Sequence, residues 1–142
     1  LHLCDRRQRQ MCIRDSFSTA RDVARVYQML LNGGEIDGQR YLSKETCQLF
    51  TTETSKISRR GLGFDKPDAD DPKKGNCAPA APAEVYGHTG FTGTCAWVDP
   101  VNELVYVFLS NRIYPDVTNR KLNQLHIRER IQGAIYDAMK KK

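Results

Sequence analysis

A histidine, a threonine and a glycine stand together in the stretch "YGHTGFTGT", residues 86–94. The imidazole of His88 can hold or release a proton near neutral pH, and the hydroxyl of Thr89 can donate to a carboxylate or relay a proton. Gly90 has no Cβ, so a substrate could lie against the strand edge, with the backbone N–H of Phe91 facing its carbonyl group. These residues could form part of an acyl-transfer site; a plain glycine-rich turn is the alternative.

Other kinds of site find less support in the sequence. The five cysteines include no Cys-x-x-Cys motif and no cysteine–histidine spacing suited to zinc. We therefore expect buried or incidental thiols, no bound metal and no cofactor. His126 is expected to be a surface residue and Trp97 a packing residue.

The formal net charge of +5 lies at the two ends of the chain. Residues 1–15 carry four arginines and two aspartates, and residues 140–142 are three lysines, so residues 16–139 sum to zero. Because nucleic-acid binding needs basic groups clustered on a folded face, we expect no nucleic-acid partner. No apolar run is long enough to predict a transmembrane segment.

The first half of the folded region is expected to begin with two capped helices. Apolar residues recur at helical spacing over 20–32, preceded by Ser18 or Thr19 as the N-cap and followed by Gly33 as a left-handed C-terminal cap. "EIDGQRYLS" predicts a short hairpin, and Ser43 is expected to cap a second helix over 44–51.

The second half predicts strands and a final helix. Strands are expected in "RRGLGFDKP", "EVYGHTG", "TGTCAWVD" and "ELVYVFLSN", with an irregular loop over 65–84 and a tight turn at "DPVNE". The unbroken apolar run from Leu104 to Leu109 predicts a strand buried on both faces. One apolar stripe is expected to pack the final helix on the sheet: Ile127, Ile131, Ala134, Ile135 and Ala138.

These elements predict an α+β domain in which an antiparallel sheet is flanked by helices. Residues 1–15, "LHLCDRRQRQMCIRD", show neither a helical nor a strand period. We interpret them as a non-native or disordered leader, a genuine disordered arm being the alternative. Residues 16–142 are assigned to the folded domain.

The ordered set of motifs resembles the C-terminal part of the serine β-lactamase-like family, which includes class C β-lactamases, D-Ala-D-Ala carboxypeptidases and related esterases. The resemblance covers residues 16–139 and rests on "FSTARDVARVYQMLLNGG", "LSKETCQLFTT", "GLGF", "GHTGFTGT", "WVDP" and "VFLSNRIYP". It implies the C-terminal portion of a β-lactamase/transpeptidase-like fold and a periplasmic or extracellular location.

The resemblance also implies roles for individual residues. His88, Thr89 and Gly90 match the family's Lys-Thr-Gly motif, which is His-Thr-Gly in some members. His88 would then tune electrostatics and proton transfer, Thr89 would contact the substrate, and the Phe91 N–H would be an oxyanion donor. In "SNRIYP", Asn111 and Arg112 would contact the substrate carboxylate. Asp116 follows where class C enzymes have asparagine, which argues against β-lactam turnover.

The nucleophile motif of that family is absent from this sequence. None of the six serines has a lysine three residues later, and no Tyr-x-Asn occurs. We therefore expect a fragment of a serine hydrolase for small ester, amide or peptide substrates, inactive by itself, whose nucleophile and base lie outside the chain. The alternative is a non-catalytic binding or interaction module with the same fold.

Overall fold

The computed structural model describes residues 18–52, 58–68, 71 and 76–140. The predicted leader at 1–15 lies outside these residues. The elements follow the order α1 (Ala20–Leu31), β1 (Glu35–Ile36), β2 (Gln39–Arg40), α2 (Lys44–Thr51), β3 (Tyr86–Thr89), β4 (Cys95–Asp99), β5 (Leu104–Phe108), α3 (Lys121–Gln124) and α4 (Ile127–Met139). Helices and antiparallel sheets confirm the predicted α+β class. No helix in the described ranges is both long and apolar enough to cross a bilayer.

The two N-terminal helices begin at the predicted caps. Thr19 accepts a hydrogen bond from the backbone N–H of Asp22 at 3.2 Å, and Ser43 accepts one from the N–H of Thr46 at 3.1 Å. Each cap satisfies a backbone donor that has no partner inside its helix. Gly33 follows α1 with φ of +67°, the left-handed conformation that its sequence position predicted. The hairpin is also confirmed, since β1 and β2 pair antiparallel.

The larger sheet has the order β3-β4-β5, and all neighbouring strands are antiparallel. All five residues of β4 are buried, because it is the central strand and both of its faces are covered. The expectation that 104–109 would be buried on both faces was wrong. Within the described part of the chain β5 lies at the sheet edge, and Tyr106 is its one fully buried residue. The predicted "DPVNE" turn connects these two strands.

Helices cover the two faces of the three-stranded sheet. Alternation along the strands places Tyr86, His88 and Ala96 on one face. This face carries α1, whose Tyr27 reaches Tyr86 through the ring of Phe64. The opposite face carries α4 and a core cluster that consists of Cys77, Val85, Cys95, Trp97 and Tyr106, with Ile135 of α4 packed against it. Trp97 is a packing residue, as expected, with an exposed fraction of 1%.

The face that α4 buries differs from the predicted apolar stripe. Its buried residues are Arg128, Gln132 and Tyr136, whereas Ile131 is 40% exposed. Gln132 accepts a hydrogen bond from the buried backbone N–H of Ala78 at 2.8 Å. Because buried polar groups need partners, the hydrogen-bonding side chains of α4 decide which of its faces is buried.

The predicted strand at 59–67 is also wrong. The described residues there form bends, and Asp65 alone makes an isolated antiparallel bridge, to Gly87 of β3. Gly63 has φ of +121°, which interrupts extended pairing. The Asp65 carboxylate, 1% exposed, pairs with Arg59 at 3.2 Å and with Arg60 at 3.4 Å. The ion pairs lie within the segment, and the backbone bridge from Asp65 to Gly87 joins it to the outer edge of β3.

Candidate functional site

Part of the outer edge of β3 is paired with another segment of the chain. Gly87 exchanges two backbone hydrogen bonds with Asp65, of 2.7 and 3.0 Å. In an antiparallel ladder, successive residues direct their backbone groups to opposite edges. His88 therefore directs its backbone groups to β4, opposite Ala96, and Thr89 directs its own to the outer edge.

A cavity of about 440 Å³ lies where β3 ends. It is lined by the predicted triplet His88, Thr89 and Gly90 together with Ser18 and Thr94. The other lining residues are Val23 and Tyr27 of α1, Cys95 and Ala96 of β4, and Leu109. The fold thus brings the three predicted residues together at one concave surface.

The hydrogen bond of His88 identifies which ring nitrogen carries a proton. Nδ1 lies 2.7 Å from the backbone carbonyl oxygen of Thr89. A carbonyl oxygen can only accept, so Nδ1–H is the donor. In the neutral imidazole Nε2 then carries the lone pair, and it is the nitrogen left for a ligand.

Tyr27 is a titratable side chain of the cavity lining. Burial, with Cys95 adding to the shift, raises the pKa of Tyr27, so its hydroxyl keeps its proton at neutral pH. The Cys95 thiol belongs to the core cluster on the opposite face of the sheet, where burial raises its pKa to about 11.

Two backbone hydrogen bonds close the turn that follows the triplet. Gly90 N–H donates to the carbonyl of Thr94 at 2.8 Å, and Gly93 N–H donates to the carbonyl of Gly90 at 3.0 Å. In a planar trans peptide the N–H points opposite to the preceding C=O. Since the Gly90 carbonyl points into the turn, the N–H of Phe91 points out of it. Gly93 has φ of +94°, a conformation that glycine adopts without strain.

Two residues after β5 hold this turn in place. The hydroxyl of Ser110 and the backbone N–H of Arg112 both donate to the carbonyl of Thr92, at 3.2 and 2.9 Å. The Nε–H of Arg112 donates to the carbonyl of Phe91 at 2.9 Å, and its guanidinium carbon lies 4.7 Å from the centroid of the Phe91 ring. Arg112 therefore contacts the turn that presents the Phe91 N–H.

Changing Arg112 tests this support. Arg112→Lys keeps the charge but loses the Nε–H in its fixed fork geometry, so we expect both Arg112→Lys and Arg112→Gln to lower the free energy of unfolding by about 1 kcal/mol. Amide hydrogen exchange should accelerate at Gly93. The exposed Arg130→Gln is the matched control and should change stability by less than about 0.5 kcal/mol. Full protection of Gly93 in the lysine variant would contradict the described contact.

The predicted site residues therefore lie in two groups. His88, Thr89 and Gly90 line the cavity, while Phe91 and Arg112 contact each other in the adjoining turn. Asn111 is exposed, and its carbonyl accepts from the N–H of Tyr114 at 3.4 Å.

Sequence reasoning missed the contributions of α1 and of Ser110. The pattern of α1 showed an apolar face without showing that Val23 and Tyr27 line a cavity beside His88.

His126 is exposed, as the sequence predicted. Cys47, Cys77 and Cys95 are buried free thiols, also as expected, whereas Cys4 and Cys12 lie outside the described residues. Within the described ranges, no three His, Cys, Asp or Glu residues are grouped in a way that could hold a metal.

Comparisons with known proteins agree with this architecture. The family model described as Beta-lactamase matches residues 6–129. Putative D-alanyl-D-alanine carboxypeptidases of Escherichia coli O157:H7 and Salmonella agona are 35% and 34% identical over 107 residues, which is 75% of this chain and 24% of each relative. A penicillin-binding protein homologue from Caulobacter crescentus superposes with a TM-score of 0.50 at 26% identity, over 63% of this chain and 24% of that one. The chain thus spans about a quarter of the length of these relatives.

Proposed function

The chain belongs to the beta-lactamase family, and on that premise we propose that it forms one wall of the active site of a serine hydrolase. The reaction is acyl transfer to water from small ester, amide or peptide substrates. The observation that carries the proposal is the convergence of His88, Thr89 and Gly90 on one cavity at the end of β3. The carboxypeptidase names of the relatives favour a peptide substrate and a periplasmic or extracellular location.

We assign one role to each of the predicted site residues. His88 offers Nε2 for proton transfer, because Nδ1 is engaged by Thr89. The hydroxyl of Thr89 contacts the substrate at the strand edge. The N–H of Phe91, which points out of the turn, donates to the oxyanion that develops on the attacked carbonyl. Asn111 and Arg112 bind the polar end of the substrate beyond the cavity.

The attacking serine and its base lie outside this chain in our proposal. No Ser-x-x-Lys and no Tyr-x-Asn occurs in the sequence. Ser110 uses its hydroxyl on Thr92, and Ser18 lines the cavity but has no lysine three residues later. The chain by itself is therefore expected not to form an acyl-enzyme.

Labelling with a fluorophosphonate probe and with a fluorescent penicillin tests the proposal. The 142-residue chain should remain unlabelled, and a longer protein translated from the upstream coding sequence should be labelled by at least one probe. In that longer protein His88→Ala should slow labelling by about 100-fold, which is typical for loss of a proton-transfer group. His126→Ala, on the surface, is the matched control and should label at the parent rate.

Two results of the labelling experiment would contradict the proposal. Labelling of the short chain would refute the external nucleophile, and Ser18→Ala would then show whether the cavity serine is attacked. An upstream sequence without Ser-x-x-Lys, together with a longer protein that no probe labels, would favour a non-catalytic binding module.

A further inference from the structure

We infer that Thr94 is a further substrate-binding residue of this cavity, and that its hydroxyl donates a hydrogen bond to an oxygen atom of the bound peptide beside the hydroxyl of Thr89. The inference rests on the proposed function and adds to it a residue outside the predicted set of site residues. A carbonyl group or a carboxylate near the end of the peptide supplies the acceptor oxygen.

Thr94 lies opposite Gly90, where the ladder between β3 and β4 ends. The antiparallel register of these strands extends to this pair, and the Gly90 N–H donates to the Thr94 carbonyl at 2.8 Å. Side chains alternate along a strand, so Thr94 shares the face of Ala96, which also carries His88 and α1. The Thr94 side chain therefore lies on the cavity side of the sheet.

The missing side chain of Gly90 leaves room for the Thr94 hydroxyl. A Cβ at position 90 would lie only 2.2 Å from Oγ1 of Thr94. Oγ1 therefore occupies the space beside the Gly90 Cα that a side chain would otherwise fill. Because Gly90 belongs to the triplet at the end of β3, this hydroxyl lies directly beside the residues to which we assign substrate contacts.

The hydroxyls of Thr89 and Thr94 are available to a ligand. Both residues are half-buried and line the cavity. Within the described ranges neither hydroxyl has a hydrogen-bond partner, whereas Thr19, Thr51 and Thr118 all use theirs. A ligand that displaces water from a hydroxyl must replace the lost hydrogen bond, so these two side chains favour a ligand with polar atoms at this place.

The surroundings of the two hydroxyls suit an acceptor oxygen. None of the described lining residues is an aspartate or a glutamate, so no carboxylate of the lining competes for these donors. A hydroxyl can turn its proton toward a ligand, whereas a carbonyl or carboxylate oxygen can only accept. Thr89 and Thr94 can therefore each donate one hydrogen bond to the same end of a peptide.

Titration of the 142-residue chain with N-acetyl-D-alanyl-D-alanine tests the inference. Thr94→Val keeps the shape of the side chain but removes the hydroxyl, so we expect the dissociation constant measured by NMR to rise about tenfold. Thr94→Ser keeps the hydroxyl and should bind within about twofold of the parent. Thr118→Val makes the same change at an exposed position outside the cavity, and it should bind as the parent does.

Three results would overturn the inference. The first is no binding by the parent chain, the second is equal affinity of Thr94→Val and the parent, and the third is a loss in Thr94→Ser as large as in Thr94→Val. If the amide spectrum of Thr94→Val is not that of a folded protein, Thr94→Ala takes its place with the same expected loss. None of these titrations needs a nucleophile, so their failure is distinguishable from a failure of probe labelling in the longer protein.

The C-terminal amide of the same ligand identifies the acceptor oxygen. If Thr94→Val weakens binding of the amide less than binding of the acid, the Thr94 hydroxyl donates to the carboxylate. If the loss is equal or larger for the amide, the hydroxyl donates to a carbonyl oxygen. Both results support a contact between Thr94 and the ligand, whereas unchanged affinity for both ligands would contradict it.

Discussion

Replacing Gly87 with alanine is expected to lower the free energy of unfolding by about 3 kcal/mol, the upper end for overpacking a rigid interior, and to abolish the site. A Cβ at this position would lie 2.1 Å from the carbonyl oxygen of Ala96 and 2.7 Å from Cε3 of Trp97. The first of these is backbone of the central strand, which cannot move without breaking its ladder to β5. The strand that carries His88 would therefore separate from the sheet.

Urea unfolding followed by tryptophan fluorescence measures this effect. Trp97 is the single tryptophan of the chain and is 1% exposed, so its emission reports the same interior that Gly87 contacts. Gly133→Ala is the matched control, because a Cβ there meets no atom within 4 Å. Lying inside α4, it should raise stability by about 0.5–1 kcal/mol. A Gly87→Ala protein as stable as the parent would show that β3 and β4 do not approach as described.

Replacing Asp99 with asparagine is expected to cost about 3 kcal/mol. The carboxylate is 2% exposed and accepts four hydrogen bonds. Oδ1 accepts from the N–H groups of Val101 and Asn102, at 2.9 and 3.1 Å. Oδ2 accepts from the Asn102 amide at 2.7 Å and from the hydroxyl of Tyr136 at 2.8 Å. An asparagine NH₂ in place of Oδ2 would face two donors and leave them without an acceptor.

Three variants separate the parts of this network. Burial raises the pKa of Tyr136, so its hydroxyl keeps its proton and donates to Asp99 at any ordinary pH. Tyr136→Phe removes that one bond and should cost about 1 kcal/mol in the same unfolding measurement. Asp137→Asn, the exposed neighbour on α4, should change stability by less than about 0.5 kcal/mol. Equal losses for Asp99→Asn and Asp137→Asn would contradict a buried network at Asp99.

The sequence predicted only the part of the candidate site that consists of residues adjacent in the chain. His88, Thr89 and Gly90 are adjacent in the chain, so once β3 forms they necessarily share its end. The contact between Arg112 and Phe91 joins residues on either side of the β4–β5 hairpin. Neither a local pattern nor a composition shows such a contact, so the sequence predicted a substrate contact for Arg112 without its bond to the turn.

The sequence by itself determined the features that depend on a few neighbouring residues: the caps at Thr19 and Ser43, the left-handed Gly33, the "DPVNE" turn and the α+β class. Backbone donors at a helix start and tight turns are satisfied within a few residues, so local residue types suffice to predict them.

Only the tertiary structure decided which strand is central, which face of α4 is buried and what lies beside His88. Leu104–Phe108 is as apolar as an interior strand but lies at the edge of the described sheet. The buried face of α4 follows Gln132 and Tyr136 because their partners, Ala78 and Asp99, come from distant parts of the chain. Burial and polar pairing depend on which elements become neighbours in space, and no short stretch of sequence contains that information.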